Sequence, residues 1–143
     1  VCNFAIPQLE RLIDETGVIP VLNQVELHPY FQQRRLRRFH EEVGVATQSW
    51  SPLGLWEGHR TSPLDDPLVK ELAAKYGKSP AQIILRWHFD NDLLLISKSV
   101  RPSRIAENFR IFDFALDAED LARMQQLDRP DGRLGPDPET AEF

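Results

Sequence analysis

Short apolar runs alternate with amphipathic helical stretches along this chain, and that alternation restricts its fold more than any other feature. Strand-like runs are expected at Val21 to Val25, Val45 to Trp50 and Leu93 to Ile96. Between them the 3.6-residue period predicts helices over Pro7 to Glu15, Gln32 to Val43, Pro67 to Tyr76, Ser79 to about Phe89, Pro102 to Phe112, and from Asp117 onward. Leu36, Phe39 and Val43 share one face of the second helix. Ile105, Phe109 and Phe112 lie on one side of a later helix, and Leu121, Met124 and Leu127 form the stripe of the last. Gly17, Gly44 and Gly77 stand at helix stops. Ser79-Pro80-Ala81-Gln82 reads as a capping box. The segment from Leu53 to Asp66 is expected to be a loop, and the tail from Arg129, with Pro130, Gly132, Gly135, Pro136 and Pro138, to be irregular.

Repeated strand–helix units with brief turns imply a parallel sheet covered by helices, because parallel strands need crossovers long enough to hold a helix. Two architectures fit this pattern: an open doubly wound sheet and a closed barrel. No GxGxxG follows a strand and no GKS or GKT P-loop is present, so the usual phosphate-binding signatures are missing. There is no low-complexity segment.

A chain of 143 residues with 41% hydrophobic content has the size and core of one domain, with no second domain expected. No apolar run approaches the roughly 20 residues that span a membrane, and no signal peptide is recognisable. Cys2 is the only cysteine, which excludes an intrachain disulfide and fits a reducing, cytoplasmic setting. The net charge of -5 argues against a nucleic-acid surface. Arg34, Arg35, Arg37 and Arg38 are read as the solvated face of an amphipathic helix, offset by Glu41 and Glu42. His28, His40, His59 and His88 lack metal-ligand spacing, so no metal is predicted. Val1 to Phe4 looks like the tail of a strand whose beginning is absent, and the chain is expected to be a fragment.

Polar residues collect at the C-terminal ends of the strand runs: Asn3, then Asn23, Gln24 and Glu26, then Trp50 and Ser51, then Lys98 and Ser99. In a parallel barrel these ends share the face where sites form. The richest stretch is LLLISKSVRPSRIAEN, residues 93–108. There an apolar run ends in Lys98, and a polar turn leads through Pro102 into a helix carrying Arg104. Lysine, hydroxyl and arginine at a helix N-terminus suit a phosphate, since free N–H groups and the helix dipole favour an anion.

The segments VCNF, NQVELHPY, SWSPLG, GKSPAQIILRW, ISKSVRPSRIAENF and LGPDPET together resemble the aldo-keto reductases, most of all bacterial members of the 2,5-diketo-gluconate reductase type. The resemblance runs over essentially the whole chain, in family order and spacing. It implies a (β/α)8 TIM barrel, incomplete in this chain, with residues 1–143 covering the end of the fifth strand to the C-terminus. It implies an NADPH-dependent oxidoreductase that reduces aldehydes or ketones to alcohols, a small carbonyl substrate, and a monomeric full-length parent. It assigns Asn3 and Gln24 to the nicotinamide carboxamide and Trp50 to stacking on the nicotinamide ring. Ser51 and Leu53 would begin the loop at the pyrophosphate. Lys98, Ser99 and Arg104 would bind the 2′-phosphate of NADPH, and Glu107 and Asn108 would hold the adenine.

Three positions depart from the family pattern: Cys2 where serine is common, Ser97 where proline is usual, and Arg101 where threonine is common. The family's tyrosine, lysine, aspartate and histidine belong to the first half of the barrel, before Val1. Tyr30 and Tyr76 do not match the catalytic position, His28 matches a structural one, and no catalytic residue is assigned. A barrel typically needs about 250 residues, so this segment alone would be inactive and would leave strand edges open. Trp56 and the tail from Arg129 to Phe143 are expected to shape the substrate pocket. The alternative reading is a non-catalytic NADPH-binding module that senses redox state or regulates a partner.

Overall fold

The computed structural model describes residues 1–55 and 62–140. The expectations placed on Trp56, Gly58 and His59, and on the last three residues of the tail, lie outside them. Helix α1 (Ile6–Thr16) carries Pro7 in its first turn and closes at Gly17, whose left-handed φ of 67° lets its amide donate back to the Ile13 carbonyl. Strand β1 (Leu22–Glu26) follows, then α2 (Arg34–Val43) and β2 (Ala46–Trp50). A short 3-10 turn (Pro63–Asp65), capped by Ser62, interrupts the expected loop. Helices α3 (Pro67–Tyr76) and α4 (Pro80–Asp90) are joined through Gly77 and the Ser79 cap. Strand β3 (Leu94–Leu95), α5 (Pro102–Phe109) and α6 (Ala118–Gln125) complete the order.

The strands lie side by side as β1-β2-β3, all parallel, with Leu22 opposite Ala46, Gln24 opposite Gln48, Glu26 opposite Trp50, and Gln48 opposite Leu94. Cys2 adds a parallel bridge to Gln24. Four successive segments therefore stand in chain order without reversal. A doubly wound sheet reverses its strand order at a switch point, whereas a barrel does not. The sheet is one arc of a (β/α)8 barrel.

Side chains alternate across this sheet. Asn23 and Val25 of β1, and Thr47 and Ser49 of β2, are buried; Leu22, Gln24, Ala46, Gln48 and Trp50 on the other face are half-buried. Val25 joins Leu9, Leu36, Leu72, Ile83, Ile84, Trp87 and Met124 in the core between sheet and helices. Helix α4 is the central brace, buried continuously from Gln82 to His88. Its predicted capping box is present: Ser79 Oγ accepts from the Gln82 amide and Gln82 Oε1 accepts from the Ser79 amide.

Three elements, α2, α5 and β3, fall short of expectation by two residues or more. Helix α2 starts at Arg34, because Gln33 takes a left-handed φ of 51° and the Gln32 amide group turns away to donate to the Pro29 and Met124 carbonyls. Helix α5 ends at Phe109, where Gln82 Nε2 donates to the carbonyls of Glu107 and Arg110; Phe112 falls beyond the helix. Strand β3 is two residues long, since it lies at an edge with one described neighbour. The Ile105, Phe109 and Phe112 stripe faces outward, at 53%, 76% and 58% exposure, rather than into the core.

Two buried histidines link this packing to pH. The His40 ring bridges Asn23 Nδ2 (3.1 Å) and Thr47 Oγ1 (2.8 Å). An amide nitrogen only donates, so Nε2 accepts and Nδ1 carries the proton. His88 lies against the carbonyls of Ile84 and Leu27. Burial pushes each from 6.5 down to about 4. Between those values the unfolded chain binds more protons than the folded one. Stability is therefore complete above about pH 6.5 and falls as pH drops toward 4. Urea midpoints that stay constant between about pH 7 and pH 4.5 would contradict this.

Candidate functional site

The C-terminal ends of the strands bring most of the predicted residues to one edge of the sheet. Asn3 and Ser51 each follow a parallel segment and each adopts a left-handed backbone, with φ of 57° and 49°. Such angles are uncommon outside glycine and least costly for Asn and Asp; Gln33 and Asp92 adopt them as well. The Asn3 amide N–H donates to the Gln24 carbonyl (2.8 Å), which seats Asn3 beside β1. Its side-chain Oδ1 accepts from the Trp50 indole N–H at 2.7 Å. An indole N–H can only donate, so the Asn3 oxygen faces Trp50 and its Nδ2 is left as a donor, with no hydrogen bond to a described residue.

Gln24 complements this. Its Nε2 donates to Gln48 Oε1 at 2.7 Å, and its Oε1 remains an acceptor, approached by Cys2 Sγ at 4.0 Å. Cys2, the departure where the family has serine, thus sits beside the candidate site and touches it weakly. Asn23 points the other way: it holds the Phe4 backbone at both its carbonyl and its amide, and serves the fold.

Ser51 Oγ donates to the Leu55 carbonyl at 3.4 Å, and half-buried Leu53 packs on the core. Beyond β3, Lys98, Arg101 and Arg104 are exposed, and their side chains form no hydrogen bond or ion pair with described residues. Ser99 Oγ accepts from the Arg101 amide (3.2 Å), turning the chain toward α5. That helix has Pro102 in its first turn and no side-chain cap, so its first amides lack a side-chain partner. Glu107 and Asn108 are half-buried on the same helix. Asn108 lines a groove of about 690 Å³ with Leu94, Lys98, Ile105 and Phe109.

Glu26 was singled out in the sequence only as one polar residue among several; its role is tertiary. At 1% exposure, its Oε1 accepts from the Leu134 amide (2.5 Å) and its Oε2 from the Gly135 amide (2.9 Å), with His28 Nε2 at 3.2 Å. Burial by itself raises the Glu26 carboxyl, but the bonds from His28, Leu134 and Gly135 outweigh it and hold the pKa below the usual carboxylate range. Gln48 was not anticipated either. Period-2 spacing from Trp50 puts it on the same face, which is the signal that could have found it.

Neither tyrosine is poised to move a proton. Tyr30 is buried, donates to Asp66 Oδ2 (2.8 Å), and is pushed up to about 12, chiefly by burial and then by Asp66. Tyr76 donates to Asp120 and is also raised, burial first. Arg34 pairs with Asp128, and Arg34, Arg35 and Arg38 are exposed on α2, as expected of a solvated face; Arg37 departs from that expectation, being half-buried and donating to Asn91 Oδ1 at 3.4 Å. Among the described residues no helix is long and apolar enough to cross a membrane.

The C-terminal edge of this barrel arc therefore gathers two side-chain amides and an indole, and an uncapped helix start flanked by cations follows β3. The chain belongs to the aldo/keto reductase family, whose model matches residues 1–129. It is 53% identical over 139 residues to methylglyoxal reductase DkgA of Escherichia coli K12, covering 97% of this chain and 49% of that protein. It is 46% identical to morphine 6-dehydrogenase of Pseudomonas putida, covering 96% and 49%. Among solved structures, a point mutant of Gox0644 in complex with NADPH superposes with a TM-score of 0.93 at 51% identity, over all of this chain and 51% of that one. The chain spans about half the length of the curated relatives it matches.

Proposed function

We propose that this chain is the cofactor-binding C-terminal part of an NADPH-dependent aldo-keto reductase that reduces aldehydes or ketones to alcohols. One observation carries the reading: the Asn3 Nδ2 group keeps its donors and the Gln24 Oε1 keeps a lone pair beside its weak contact with Cys2, and a primary carboxamide can use a donor and an acceptor together. Trp50, held by Asn3, would offer its ring face to the nicotinamide. Ser51 and Leu53 would begin the pyrophosphate loop. Lys98, Ser99 and Arg104 would bind the 2′-phosphate, with Arg101 adding a third cation, and Glu107 and Asn108 would face the adenine. Relatives bearing reductase names, and a neighbour bound to NADPH, support this.

When bound, NADPH supplies the hydride. The protein's part on this chain is to orient the ring and to fix the charged end by bonds that do not change during reaction. Neither tyrosine of this chain is free to donate the proton, since Tyr30 is committed to Asp66 and Tyr76 to Asp120. The full-length protein is proposed to be a cytoplasmic monomer.

Titrating the full-length protein with NADPH and NADH while following tryptophan fluorescence tests the proposal. NADPH should quench strongly and bind at least about tenfold tighter than NADH, and Trp50→Leu should remove most of the quench. Equal binding of the two dinucleotides would overturn the phosphate assignment.

A further inference from the structure

We propose that Glu26 is a positioning residue: it latches the C-terminal tail against Trp50, and so holds the wall past which a carbonyl substrate reaches the nicotinamide. This rests on the functional reading above and adds to it a determinant of substrate binding.

Both oxygens of one buried carboxylate are committed to consecutive tail amides, those of Leu134 and Gly135, more than a hundred residues away in the chain. A carboxylate accepting two backbone N–H groups makes charge-assisted bonds, roughly twice as strong as neutral ones. Glu26 is the register partner of Trp50, so the latch and the indole occupy one rung of the sheet. Gly135 closes the approach. A Cβ there would lie 2.8 Å from Trp50 Cη2 and 3.1 Å from Glu26 Oε2, so the tail backbone abuts the ring edge only because that position carries no side chain. Beyond the latch, Asp137, Pro138 and Glu139 line a small cavity with Asn3, Phe4 and Gln33. The tail thus runs beside the very amide that holds Trp50. A second seat lies just upstream: Gly132 passes so close to the Tyr30 carbonyl that any Cβ would collide with it, and the Arg129 amide donates to that carbonyl at 3.0 Å.

Arg133–Leu134 is a tryptic bond at the latch itself. In the full-length protein, Glu26→Gln keeps the shape and removes the charge that both amides share. Trypsin should then cut at Arg133–Leu134 about tenfold faster under native conditions. With glyceraldehyde as the probe aldehyde, KM should rise about five- to tenfold while kcat stays within about twofold and NADPH quenching within about threefold. Gly135→Ala, which disturbs the latch from the tail side and leaves the carboxylate in place, should open the same bond to trypsin. If Glu26→Gln does not fold, this second variant decides the latch. Wild-type cleavage rates in the folded variants would overturn the proposal. So would a fall in kcat together with melting temperature at unchanged KM, since that marks a purely structural residue. A wild-type protein that neither binds NADPH nor reduces the aldehyde would instead defeat the functional reading and with it the substrate role, while the cleavage rates still report on the latch.

Discussion

Replacing Lys98 and Arg104 together by alanine in the full-length protein should weaken NADPH binding by about 100-fold or more while leaving NADH within about threefold. Both side chains are exposed and form no hydrogen bond or ion pair with described residues, so their removal takes away little that holds the fold. Under the proposed reading each meets a doubly charged phosphate beside an uncapped helix start, where an anion also gains from open amides. The 2′-phosphate is the only group by which the two dinucleotides differ, so the ratio of the two affinities isolates this end of the site from the Trp50 end. The single variants should each lose less than the pair, and Arg101→Ala tests whether the third cation contributes. The discriminating measurement is the pair of dissociation constants from fluorescence titration at fixed salt. Equal losses for NADPH and NADH would show that the cations act on something the dinucleotides share.

The second large effect belongs to the fold. Arg86→Ala should destabilise the protein by about 3 kcal/mol, because it strands a shielded carboxylate. Arg86 and Asp90 form an i,i+4 pair on α4, each side chain only 11% exposed, with Nη2 at 2.6 Å and Nε at 2.8 Å from Asp90 Oδ1. Arg86 Nη1 also donates to the Ile111 carbonyl (2.8 Å), and Asp90 Oδ2 accepts from the Leu116 amide (3.0 Å). The guanidinium lies over the rings of Phe89 and Phe114 at 4.9 and 5.8 Å. One pair therefore ties the central helix to the segment that follows α5, the helix bearing Arg104. Urea unfolding of the full-length protein measures the loss, and removing Asp90 as well should cost less than the sum of the two single changes. A loss below about 1 kcal/mol for Arg86→Ala would place the pair among ordinary surface bridges.

Features that depend on neighbours in the chain were legible. The Ser79–Gln82 box, the glycine stop of α1 at Gly17, and the Asp117 cap of α6 all act within a turn of helix. Alternation of strand and helix excluded everything but two parallel architectures, and strand C-terminal polarity pointed to the edge where Asn3, Gln24, Trp50 and Ser51 meet. Boundaries failed where distant groups intervened. Gln32 is drawn off α2 by a carbonyl of α6, and α5 is cut short by Gln82 of α4. The apolar stripe of Ile105 and Phe109 had the period of a core face, yet period says only which residues share a side and nothing about what that side meets.

By itself the sequence determined the order of elements, the parallel sense of the sheet and the residue types at the C-terminal edge of its strands, because these follow from local propensity and hydrophobic period. Tertiary structure alone decided which amide atoms of Asn3 and Gln24 are engaged, and that Glu26 reaches the tail. Those outcomes depend on register and on hydrogen bonds between residues 22 to 109 positions apart, and no local preference encodes a partner at that distance.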